Sequence, residues 1–187
     1  MAIIKPALSA EKIFVHATRF HKSFEQLLNS VRPEDGGKTP DQEIGVVAHP
    51  AMVLSAFASE LYLKCLLCVE TGETPRDHNL KRLFDKLAEN TRRDVEDLWD
   101  IDIRQHDKRQ LIGRLRTLPK GKDMRFDLRS ALELGAEAFI KLRYYYEEED
   151  TYFLLLHFPI VLRVAILKLF PLWDEILPPP SKNLLRP

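Results

Sequence analysis

The side chains of this chain best suited to chemistry are a few charged and aromatic residues at helical spacing. Glu60 and Lys64 lie four apart within the apolar stretch 51–72, AMVLSAFASELYLKCLLCVETG, with Ser59 beside them. Residues four apart share one helix face, so this spacing sets a carboxylate against an ammonium. His78 stands at the mouth of the next segment, where Asp77 or Asn79 is suited to cap a helix. Farther on, RYYYEEED brings Arg143, Tyr144 and Glu147 together, with Arg143 and Glu147 again four apart. An Arg beside stacked tyrosines suits a nucleotide base or a phosphate, and equally a structural network. Glu60, Lys64, His78, Arg143, Tyr144 and Glu147 are expected to converge in one polar cluster, because buried charges persist only when paired and hydrogen-bonded. Ser59 and Asn79 are counted with it as candidate ligand-binding residues. Residues 109–129 form a basic patch: Arg109, Arg114, Arg116, Lys120, Lys122, Arg125 and Arg129 face only Asp123 and Asp127. Such a run is a reasonable phosphate contact, and is also common in neutral proteins.

Other constellations carry less. Cys65 and Cys68 read as C-x-x-C but fall in mid-helix, without the helix N-terminus that lowers a thiol pKa and without a second pair to complete a zinc site. They are read as buried core thiols, which suits a reducing cytoplasm. Asp100, Asp102, His106 and Asp107 do not repeat at ligand spacing and read as a solvated charged face. The Asp-Gly-Gly run at 35–37 is not followed by the Gly-Lys-Ser/Thr of a phosphate loop. Neither a metal nor a cofactor is expected.

The bulk composition fits a soluble globular chain. It has 187 residues, 45% hydrophobic and 30% charged, and 28 basic side chains balance 28 acidic ones. Zero net charge does not mark a dedicated nucleic-acid binder, although it leaves room for a local patch. The segment MAIIKPALSAEK has no long apolar core, so no signal peptide is expected. Residues 152–172 are strongly apolar but carry His157, Pro159, Arg163 and Lys168, which favours a core helix over a membrane span.

The elements that must position these residues all read as helices. A first helix is expected over 10–30, capped by Ser9, with Ile13, Ala17, Phe20, Phe24 and Leu27 inward and His16 and His21 on its surface. Residues 31–47 read as a loop, and Pro50 as the first turn of the central helix, which ends near Gly72. A short amphipathic helix follows from Asn79, with Leu80, Leu83, Phe84 and Leu87 inward. A helix or helix pair is expected over 91–118, with Val95, Leu98, Trp99 and Ile103 inward. A long helix is expected over 127–149 on a stripe of Leu128, Leu132, Ala136, Phe139, Leu142 and Tyr146. The last helix covers 152–176, kinked or broken near Pro159. The sum is an all-α up-and-down bundle of about five to six helices over 1–177, with a Pro-rich tail at 178–187.

The segments AFASELYLKCLL, a glycine, DHNLKRLFDKL and AFIKLRYYYE, in this order over residues 48–150, resemble the HEPN-like helical bundles of bacteria. The resemblance implies RNA cleavage, nucleotide binding, toxin–antitoxin pairing or phage defence in a cytoplasmic homodimer. Catalytic members carry an Arg followed, after four to six residues, by a His. None of the six histidines here has an Arg at that distance, which argues against the family's ribonuclease chemistry. Three readings stay open. One is a non-catalytic module binding nucleotide or RNA through the polar cluster. Another is a divergent metal-independent ribonuclease, in which the imidazole of His78 would take a proton from a 2′-hydroxyl and Arg143 would stabilise the phosphorane. The third is a toxin–antitoxin or defence-system partner acting by protein–protein contact.

Overall fold

One helix, α2 (Asp41–Thr71), is the axis of the molecule. The computed structural model describes residues 6–31, 41–105, 125–142 and 154–176. Before α2 comes α1 (Pro6–Ser30), and the two pair more extensively than any other elements. They run antiparallel: the Cys65 thiol meets the Ala10 carbonyl, Phe14 packs on Tyr62, and Phe20 packs edge-on to Phe57. The remaining elements are α3 (Leu80–Asp85), α4 (Glu89–Ile103), α5 (Leu128–Leu134), α6 (Ala138–Lys141), α7 (Phe158–Leu169) and a 3₁₀ turn over Pro171–Glu175. Together they make an all-α helical bundle, and no strand occurs among the described residues.

The apolar character of α2 on nearly every face has a direct cause in its neighbours. It is covered by α1, α3, α6 and α7, so Ala56, Tyr62, Leu63, Leu66 and Leu67 are all buried. Each large apolar side chain so enclosed contributes roughly 1.5–3 kcal/mol. α7 lies against both α2 and α4 and closes the core, with Trp99 edge-on to Phe158. The 3₁₀ turn stacks Trp173 on Phe170 and lays it against Phe14 of α1. Val46–Thr71 of α2 is long and apolar enough to cross a membrane, but most of it is buried inside the bundle. At 12 residues α7 is too short to span a bilayer, and Leu155, Phe158, Val161, Leu162, Ala165 and Ile166 of this apolar stretch are buried in the core.

Several boundaries differ from the sequence expectations. α1 begins at Pro6, which places Ser9 inside the helix and not at its cap. Its buried face is Ala10, Phe14, Ala17, Thr18, His21 and Phe24, so Ile13 and Phe20 stand at the edge and His21 is interior. The loop expected over 31–47 is helical from Asp41, and Pro50 lies within α2. Proline there removes one ladder hydrogen bond, a cost the packing of the rest of α2 outweighs. Of the helix or pair over 91–118, Glu89–Ile103 is α4, and 106–124 lie outside the described residues.

The helix expected over 127–149 is broken between α5 and α6, and 143–150 lie outside the described residues. Gly135 ends α5, and a Cβ there would sit 2.6 Å from Leu155 Cδ1. The break also frees the Ala136 carbonyl, which accepts the Leu80 N–H at 2.8 Å. Pro159 occupies the first turn of α7, and residues 154–157 form a separate turn before it. A missing N–H at that position leaves no donor unmet.

Candidate functional site

α2 supplies the buried half of the polar cluster, and the α2–α3 connection supplies the exposed half. Gly72 takes φ 76° and donates to the Cys68 carbonyl at 3.0 Å, which ends α2 in the left-handed conformation that glycine adopts without strain. The chain then returns along α2 to Asp77, His78 and Asn79. The Asn79 side chain accepts the Arg82 N–H at 2.9 Å and caps α3. Asp77 accepts the Asn79 N–H at 3.0 Å and a two-point contact from Arg82 Nε and Nη2 at 2.9 and 2.7 Å. The Arg82 guanidinium holds the Asp77 carboxyl well below the usual carboxylate range. His78 is therefore held between two residues with fixed backbone bonds.

At the centre is Glu60. Its Oε1 accepts from Lys64 Nζ at 2.8 Å and from His78 Nδ1 at 2.9 Å. Glu60 is 1% exposed, whereas the His78 side chain is 54% exposed. The arrangement is a buried ion pair carrying an imidazole at the protein surface. Glu60 Oε2 is also buried and has no hydrogen-bond partner among the described residues. A buried carboxylate in this state depends on Lys64 for its counter-charge, and removing that ammonium strands a charge in the core.

Of the residues singled out in the sequence, Glu60, Lys64 and His78 meet here. Ser59 turns away, donating to the Ser55 carbonyl at 2.9 Å, and Ser55 in turn donates to the Leu156 carbonyl at 2.8 Å. Asn79 serves as a helix cap. Arg143, Tyr144 and Glu147 lie outside the described residues, as do Arg109, Arg114, Arg116, Lys120 and Lys122 of the basic patch. The two described members of that patch are each paired: Arg125 with Asp127 at 3.1 Å and Arg129 with Glu96 at 2.8 Å. Cys65 and Cys68 are buried and not joined in a disulfide, and burial pushes the Cys65 thiol up to about 12. Among the described residues no three His, Cys, Asp or Glu side chains group closely enough to hold a metal ion.

A second polar cluster in the α1–α2 seam was not anticipated from the sequence. The Tyr62 hydroxyl lies 3.1 Å from Thr18 Oγ1 and 3.3 Å from His21 Nδ1. Burial lowers His21 to about 4, against the opposing field of Glu25, and raises the Tyr62 hydroxyl above its ordinary value. A signal existed: Phe14, Ala17, Thr18, His21 and Phe24 follow the i, i+3, i+4, i+7 rule as closely as the stripe chosen. In α6–α2 contact, His49 Nε2 is bonded to the Leu142 carbonyl.

Comparison with protein-family models, with curated proteins and with solved structures gives no match for this chain.

Proposed function

We propose that this chain is a non-catalytic HEPN-like module that binds a nucleotide or an RNA end at the face where His78 emerges. The observation that carries the reading is the Glu60 carboxylate, buried to 1% exposure, holding Lys64 and the half-exposed His78 on one oxygen. A structural ion pair needs no exposed third member, whereas a recognition imidazole needs an anchor. The helix order supports the family reading: a long helix with Glu60 and Lys64, the Gly72 turn, and a His-Asn-Leu step into α3. Arg82 and Lys86 stand exposed close by, both engaged by Asp77, and supply cations on the phosphate side.

The test is binding of labelled single-stranded RNA and of mononucleotides, followed by fluorescence polarisation in EDTA. Wild type binds and His78→Ala loses most of the affinity. Equal binding by the two proteins defeats the reading. A carboxylate-held imidazole also favours a second reading, a divergent metal-independent ribonuclease. The same mixtures, run on a denaturing gel with Arg143→Ala included, decide it: cleavage by wild type alone makes the chain a ribonuclease. If neither binding nor cleavage occurs, a protein partner of toxin–antitoxin or defence type becomes the reading to pursue, by mass measurement alone and with candidate partners. The same mass measurement tests for a homodimer.

A further inference from the structure

The bonding of Glu60 narrows what His78 can recognise. A carboxylate only accepts hydrogen bonds, so the His78 nitrogen 2.9 Å from Glu60 Oε1 must carry a proton. In the neutral ring that leaves one tautomer, with the proton on Nδ1 and a bare lone pair on Nε2. We propose that Glu60 is a positioning residue that locks His78 in this tautomer, and that the exposed Nε2 accepts a hydrogen bond from the ribose 2′-hydroxyl of an RNA strand. This rests on the nucleic-acid reading above and specifies its ligand.

Three features support it. First, the lock is stiff. Glu60 is enclosed in α2 and tied by Lys64, and the described residues offer its second oxygen no donor to turn towards. Second, the Asn79 N–H bond to the Asp77 carboxylate spans His78 and sets where its side chain leaves the backbone. Third, Asp77, next to His78 in the chain, holds two exposed cations, Arg82 and Lys86. These cations can follow a sugar–phosphate backbone. An acceptor beside a backbone track meets the ribose, and the 2′-hydroxyl is the donor that tells RNA from DNA there.

The experiment has two arms at pH 8, and the first reads the ring protons directly. Long-range proton–nitrogen NMR reads the His78 ring directly, without ligand. The Nδ1–H form is expected in wild type. It gives way to a tautomer mixture in Glu60→Leu combined with Lys64→Met, a pairing that removes both buried charges and so keeps the core satisfied. A wild-type ring protonated on Nε2 overturns the lock. The second arm compares RNA, 2′-O-methyl RNA and DNA of one sequence by polarisation. RNA is expected to bind about fivefold more tightly than the other two, the equivalent of one net hydrogen bond, and the preference disappears in the paired variant. Equal binding of all three strands with an Nδ1–H ring overturns the 2′-hydroxyl contact alone. If no strand binds, the function proposed above fails and the ligand with it, while the lock still stands or falls on the NMR result.

Discussion

Acid should loosen the seam between α1 and α2 through His21. The imidazole is 3% exposed, with Nδ1 at 3.3 Å from the Tyr62 hydroxyl and Nε2 at 3.7 Å from Glu25. Burial is the chief cause of its fall from 6.5 to about 4, with Arg163, Lys22 and His157 adding to it and Glu25 opposing it. Above pH 6.5 neither folded nor unfolded chain protonates this ring, and it has no effect on stability. Between 6.5 and 4 the unfolded chain takes up the proton while the folded chain does not, so stability falls as pH falls. Below 4 both are protonated and the loss is complete. At about 1.4 kcal/mol per tenfold change, the span amounts to ~3 kcal/mol.

Carboxylates titrate in the lower part of this window, so the comparison must be with His21→Gln, which keeps a polar side chain and removes the titration. Urea unfolding followed by circular dichroism from pH 8 to pH 4 gives the measurement. With a slope of about 2 kcal/mol per molar, the wild-type midpoint should fall ~1.5 M farther than that of the variant. Parallel curves for the two proteins would refute the reasoning, because they would mean that His21 is hydrated or already paired in the folded state.

Glu60→Ala should cost about 3–5 kcal/mol by stranding Lys64, and adding Lys64→Met should restore most of it; a double-mutant cycle by urea denaturation checks both. Gly135→Ala drives a Cβ to 2.6 Å from Leu155 Cδ1 and should destabilise by about 1–3 kcal/mol, seen as a lower melting temperature. Glu70 accepts the Ala88 N–H at 2.9 Å and the Thr91 hydroxyl at 2.5 Å, standing in for the missing side-chain cap of α4, so Glu70→Ala should cost about 1 kcal/mol in the same assay. Cys65 and Cys68 should resist a thiol reagent at pH 8 in the native protein and react at once in urea; fast labelling of the folded chain would contradict their burial.

Much of this architecture was legible before any coordinates. The uninterrupted apolar run of α2 signals a helix buried on most sides, and Gly72 marks its end because a left-handed residue is needed there. Leu80, Leu83, Phe84, Leu87, Val95 and Trp99 are interior as their spacing required. The pairing of Glu60 with Lys64 is equally local, since one helix turn sets it. Where the reading slipped, two local signals competed. Pro50 and the glycines before it suggested a loop, yet α2 runs through the proline because its neighbours enclose the helix beyond it. Gly135 falls inside the long helix expected over 127–149, but the approach of Leu155 and the need of Leu80 for a carbonyl favour a break.

The sequence by itself determined that the chain is helical and which residues of α2, α3 and α4 form much of the core, because those depend on periodicity and short-range sterics. Only the tertiary structure decided which polar residues share a site. His78 reaches Glu60 across 18 positions, and His21 reaches Tyr62 across 41. The physical reason is that burial creates the demand. A carboxylate or imidazole taken out of water must find a donor or lose its charge, and which donor is within reach depends on how the helices pack, a quantity that no single helix contains.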